Sequence, residues 1–175
     1  MSMPTILDDV ASLHAYNRWA DGRLVAALRK LSAEDLTREP APGWPSVRST
    51  VFHIAGATAI WSRRLSGETV SKWPSEADYP TVDDLERYLA EGHDAFDRLI
   101  AGLTPEQLAA AWTYQNIQGK HATVPLWTVY RHVVNHATYH RGQAGSKLRL
   151  LGVEPPVTDL IYWAVEKTPQ PQPPG

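Results

Sequence analysis

Residues 132–143 read HVVNHATYHRGQ, with histidines at positions 132, 136 and 140. An α-helix turns once in 3.6 residues, so side chains four apart stack on one side and two imidazoles at that spacing converge. His132 and His140 are eight residues apart, roughly 12 Å along the axis at 1.5 Å per residue, too far to share an ion. A single ion therefore takes either His132 with His136 or His136 with His140, and its other ligands come from other helices. The stripe through this segment runs Leu126, Val129, Val133, His136, His140, Ala144, Leu148 and Leu151. It sets His136 and His140 on the inward face of a long helix, with His132 offset toward the flank. That helix is expected to start near Pro125 and to end at Gly152, a C′ position. The competing reading is a pair of buried histidines satisfied by hydrogen bonds, with no metal.

Three more long helices follow from the same period. In the first, Ile6, Val10, Leu13, Ala20, Leu24, Leu28 and Leu31 form the stripe. Asn17 interrupts it, either as a polar residue at the stripe's edge or as an amide facing an interior polar site. In the second, Ser46 is the expected N-cap, Gly67 lies near the end, and Val47, Val51, Ile54, Thr58, Trp61 and Leu65 form the stripe. His53 sits on its edge, with Ala57 leaving room around it. Alone, such a histidine is usually a satisfied core or boundary residue. The third is capped by Thr81 and aligns Leu85, Tyr88, Leu89, Phe96, Leu99 and Leu103; His93 falls off this stripe and is expected to face solvent.

The connections are also legible. Residues 31–49 carry three prolines and a glycine and read as a loop. Thr104, Pro105 and Gln107 spell the start of a short helix. WTYQNIQGKHATVP alternates and then returns, which predicts a short hairpin or extended insert before the last long helix, with His121 exposed. The expected fold is all-α: a four-helix bundle in one domain over residues 1–166, followed by a Pro-rich tail over 167–175.

Composition narrows the function classes. With 43% hydrophobic and 21% charged residues, the 175-residue chain is of ordinary globular make-up. A net charge of -2 without a Lys/Arg run gives no pull toward nucleic acid or an anionic membrane. No signal-peptide pattern or eighteen-residue apolar run is present, so a cytoplasmic protein is expected. There is no cysteine, so a transition-metal site must be built from His with Asp or Glu.

HATYHRGQ, preceded by Asn135 and followed by KLRLLG, resembles the signature of the DinB family, the DinB/YfiT-like metalloenzymes. YNRWADGRL is similar to the family's first helix, GWPSVRSTVFHIAGATAIWSRRLSG to its second, and PPVTDLIYW to its C-terminal segment. The resemblance implies a four-helix bundle, often a homodimer, with three His ligands and water on zinc, nickel or a similar divalent metal, one per chain. Residue by residue, those ligands fall on His53, His136 and His140. Arg141, Gly142 and Gln143 complete the signature, Gln143 as support for the site and Arg141 as a partner for a carboxylate. Asn17 is a further candidate for polar support.

The resemblance also implies a chemistry. Relatives include thiol S-transferases and isomerases that use bacillithiol, mycothiol or glutathione, so a small-molecule thiol and an electrophile are the expected partners. Metal-dependent hydrolysis and a non-catalytic, stress-linked metal-binding role are the alternatives. Hydrolysis calls for a carboxylate near the ion, and no inward-facing Asp or Glu stands out on the stripes. A closed site with a fourth protein ligand would favour the non-catalytic role.

Overall fold

A computed structural model describes residues 4–41, 43 and 45–169. Long helices α1 (Ile6–Leu28), α3 (Val47–Leu65), α4 (Val82–Ala101) and α6 (Leu126–Leu150) form the bundle. Shorter elements are α2 (Ala33–Thr37), α5 (Pro105–Ala109), the strands β1 (Ala111–Gln115) and β2 (His121–Pro125), and α7 (Leu160–Lys167). The tail expected from residue 167 lies outside the described residues from 170 onward, and Lys167 still belongs to α7.

Local chemistry sets the helix ends. Thr5, Thr81 and Thr104 each close a capping box, with Asp8, Asp84 and Gln107, and Pro105 stands at the start of α5. Ser46 accepts from the Ser49 N–H. Gly67 (φ 89°) and Gly152 (φ 76°) stand just beyond the C-caps of α3 and α6. In both cases the next N–H reaches five residues back, from Glu68 to the Arg63 carbonyl and from Val153 to the Leu148 carbonyl, which makes a Schellman end. The segment expected to be loop contains α2, because Ser32 accepts from the Asp35 N–H and nucleates one turn.

Around the bundle, α1 packs on α4 and α6, and α3 packs on α4 and α6. So α1 and α3 are diagonal, as are α4 and α6. Paired residues give the directions. Asp9 meets Arg131 and Asp21 meets Arg141, so α1 and α6 run parallel. Arg29 meets Asp83 and Arg18 meets Asp94, so α1 and α4 are antiparallel. Thr50 meets Lys147 and Trp61 meets His132, so α3 and α6 are antiparallel. Helices α3 and α4 therefore run parallel, and residues 66–81 must climb back along the bundle to join them.

The main core gathers Leu24, Leu28, Val51, Ile54, Leu85, Leu89 and Leu148, with Val10, Phe96 and Val133 in a second cluster. Each fully buried side chain of this kind contributes about 1.5–3 kcal/mol. The predicted hairpin is present, β1 pairing antiparallel with β2 from Ala111 opposite Pro125 to Gln115 opposite His121. Tyr114 packs on Trp61 of α3 and so attaches the hairpin to the bundle. Among the described residues no helix is long and apolar enough to cross a membrane.

Candidate metal centre

His53 from α3 and His136 and His140 from α6 come together, one ligand atom of each within 4.8 Å of the others. The Nε2 atoms of His53 and His136 are 3.1 Å apart. Tetrahedral donors at 2.0–2.1 Å from a zinc-sized ion would stand roughly 3.3 Å from each other, so this spacing fits an ion between them. His140 Nδ1 lies 2.8 Å from Gln143 Oε1 and donates to it, which leaves Nε2 as the free lone pair. The donor set, three imidazoles with one tautomer fixed by a carboxamide, fits a divalent transition metal, and the three-His group could hold one. No fourth imidazole or carboxylate joins the group among the described residues.

The histidines are half-buried, at the border of the α3–α6 interface. This departs from the inward stripe read from the sequence. The buried line of α6 passes through Val133, Ala137, Arg141 and Ala144, one position round from His136 and His140. Arg141 is drawn inward by partners on α1, and the imidazoles are thereby turned to the rim. A site on the rim has one face toward solvent, as an open coordination position requires.

Burial, then the neighbouring His140, His53 and His132, push His136 down to about 4. Burial and then His140 also lower His53. Neutral imidazoles are the form that binds metal. His132 is exposed, its ring 5.6 Å from that of His136 and edge-on to Trp61, and it belongs to no ligand group. His121 is exposed on β2, as expected.

Trp73 had no signal in the sequence pattern. The connection 66–81 lays its indole flat on His53, with ring centroids 4.9 Å apart at 15°. Gly56, one turn after His53, makes room: a Cβ there would stand 3.0 Å from Trp73 Cζ2.

Behind the triad lies a buried ionic network that corrects two expectations. Asp21 is 1% exposed, so an inward-facing acid does exist. His93, expected to face solvent, is 3% exposed and donates from Nε2 to Asp21 Oδ2 at 3.1 Å. The reason is geometric: α4 touches both α3 and α1, so its buried arc is wider than one stripe. Arg141 donates from Nη1 to Asp21 Oδ1 (2.7 Å) and Asn17 Oδ1 (2.6 Å), and from Nη2 to Thr138 Oγ1 (2.7 Å) and the Tyr16 hydroxyl (3.2 Å). Asn17 is thus fully buried and bonded to Arg141, with no hydrogen bond to the three histidines.

A parallel-pair helical bundle with a half-open, three-histidine cluster defines the class of protein. The DinB family profile matches residues 1–172, and the chain belongs to the DinB family. Protein DinB of Bacillus subtilis (strain 168) is 29% identical over 167 residues, which cover 92% of this chain and 97% of that protein. Among solved structures, a conserved protein from Enterococcus faecalis superposes with TM-score 0.62 at 18% identity, covering 79% of this chain and 94% of the other. A DinB-like protein from Bacillus cereus gives TM-score 0.59 at 20% identity, covering 79% and 90%. At these identities the two structures speak to the fold alone.

Proposed function

We propose that this chain is a cytoplasmic, metal-dependent thiol S-transferase that joins a low-molecular-weight thiol to a small electrophile. The observation that carries the reading is the triad at the bundle's rim, with three imidazole donors and a solvent-facing side. His53, His136 and His140 would hold one divalent ion, zinc or nickel. Bound there, the ion supplies Lewis acidity that lowers the pKa of a thiol at the open position.

The protein's own groups provide the rest. Gln143 holds the His140 tautomer, and Trp73 covers one face of His53 and limits water there. Sulfur forms a bond to the electrophilic carbon as the leaving group departs with its electron pair, and the thiol proton passes to solvent. With no cysteine in the chain, the thiol must come from outside. A hydrolytic reading is weaker because the buried acid nearest in design, Asp21, is already committed to Arg141 and His93. We also infer a homodimer, supported by the exposed apolar side chains of Leu160, Ile161 and Tyr162 on α7; sedimentation velocity tests it, and a monomer at tens of micromolar contradicts it.

The test of the activity is a screen of zinc- and nickel-loaded protein with bacillithiol, mycothiol, glutathione and cysteine against a chromogenic aryl halide. Metal-dependent conjugation that vanishes in His136→Ala is expected. Equal rates with and without metal for every thiol contradict the reading.

A further inference from the structure

Lys147 lies two turns beyond His140 on α6 and is 4% exposed. Its Nζ donates to Thr50 Oγ1 on α3, one turn before His53, and Thr50 in turn donates to the Ser46 carbonyl. Among the described residues, that hydroxyl is the one hydrogen-bond partner of the Lys147 ammonium. A buried ammonium without a counter-ion is costly, and burial lowers the Lys147 pKa. The acid that meets this end of α3, Glu76, is engaged by Arg48 and Ser49.

Lys147 also lines a cavity of about 310 Å³, whose other described lining residues are Pro45, Gln143 and Ser146. Gln143 is also the residue bonded to His140, so the cavity begins where the histidine cluster ends. His53 and Thr50 are three residues apart, and His140 and Lys147 seven. At 1.5 Å per residue, the backbone positions of Thr50 and Lys147 therefore stand roughly 5 to 10 Å along the bundle axis from those of His53 and His140.

We propose that this cavity is a substrate subsite in which Lys147 receives a carboxylate. The proposal deepens the thiol-transferase reading and rests on it for the position of the reacting sulfur, but not for the anion site. One lysine, with no arginine beside it in the described lining, suits a singly charged carboxylate better than a phosphate dianion, which favours several donors. Lys147 is a binding residue, remote from the reacting atoms. The carboxylate belongs either to the thiol or to the electrophile.

The probes are 6-mercaptohexanoate, 6-mercaptohexanol and hexanoate, titrated calorimetrically into zinc-loaded wild type, Lys147→Met and Lys147→Arg, with circular dichroism confirming the helices. If the thiol carries the carboxylate, 6-mercaptohexanoate binds wild type at least tenfold more tightly than 6-mercaptohexanol. Lys147→Met abolishes the preference by weakening only the acid, and Lys147→Arg keeps part of it. If the electrophile carries it, hexanoate binds alongside saturating 2-mercaptoethanol, and Lys147→Met removes that binding. Hexanoate bound in a Lys147-dependent way while no thiol binds supports the anion subsite and counts against the transferase reading alone. Carboxylate binding that is absent, or indifferent to Lys147→Met, overturns the subsite.

Discussion

His140 owes its ligand geometry to a residue one turn further along its own helix. Gln143 Oε1 accepts a hydrogen bond from the Nδ1–H, so Nε2 keeps the lone pair available to a metal. Gln143→Ala should therefore weaken metal binding by about 10- to 100-fold without unfolding the bundle. A competition titration against a chelating dye reads this directly, and unchanged affinity refutes the role. His14 makes a second argument at this scale. It is 2% exposed, donates to the Tyr130 carbonyl, and is pushed down to about 4, chiefly by burial. Its unfolded pKa is near 6.5, so between pH 6.5 and 4 the unfolded chain binds more protons and stability falls as pH falls. The loss from this one group is roughly 3 kcal/mol by pH 4. Urea midpoints of metal-free wild type and His14→Gln across that window should converge as pH falls; parallel curves contradict the assignment.

The elements were legible where the controlling chemistry is local. Caps at Ser46, Thr81 and Thr104, the end at Gly152 and the hairpin before α6 all depend on residues a few positions apart, and all stand where expected. What a single stripe cannot reveal is how each helix is rotated against two neighbours. That rotation put His93 and Asp21 inside, and it turned His136 and His140 to the rim while Arg141 went inward. Gly92 shows how closely the rotation is held, since a Cβ there would lie 3.0 Å from Thr58 Cγ2 on α3. Overpacking costs about 1–3 kcal/mol, and better helix propensity returns at most about 1 kcal/mol. Gly92→Ala is expected to lower the urea midpoint; a more stable variant would mean that α3 and α4 are free to separate.

Across the whole molecule, one ionic network ties three helices together. Asp21 on α1 receives Arg141 from α6 and His93 from α4, and Arg141 also grips Asn17 and Tyr16. Removing one partner from such a buried set typically costs 3–5 kcal/mol, because the other charge is left uncompensated. Arg141→Met should show that loss in chemical denaturation, and Arg141→Met with Asp21→Leu should recover part of it. If the double variant is worse than the sum of the singles, the network does not act as a paired set. The network also sets the register of α6 against the bundle, on which the cross-helix histidine cluster depends. The family signature in the sequence pointed to His53, His136 and His140. Trp73 and Lys147 were invisible there, because one lies in a connection and the other looks like any surface lysine until α3 packs over it. The account stands on the cluster holding a metal across two helices. Elemental analysis of untagged wild type beside His53→Ala tests that most directly. About one zinc or nickel per chain in wild type, lost from a still-helical variant, is the predicted result. Metal absent from both proteins, or retained in the variant, would contradict it.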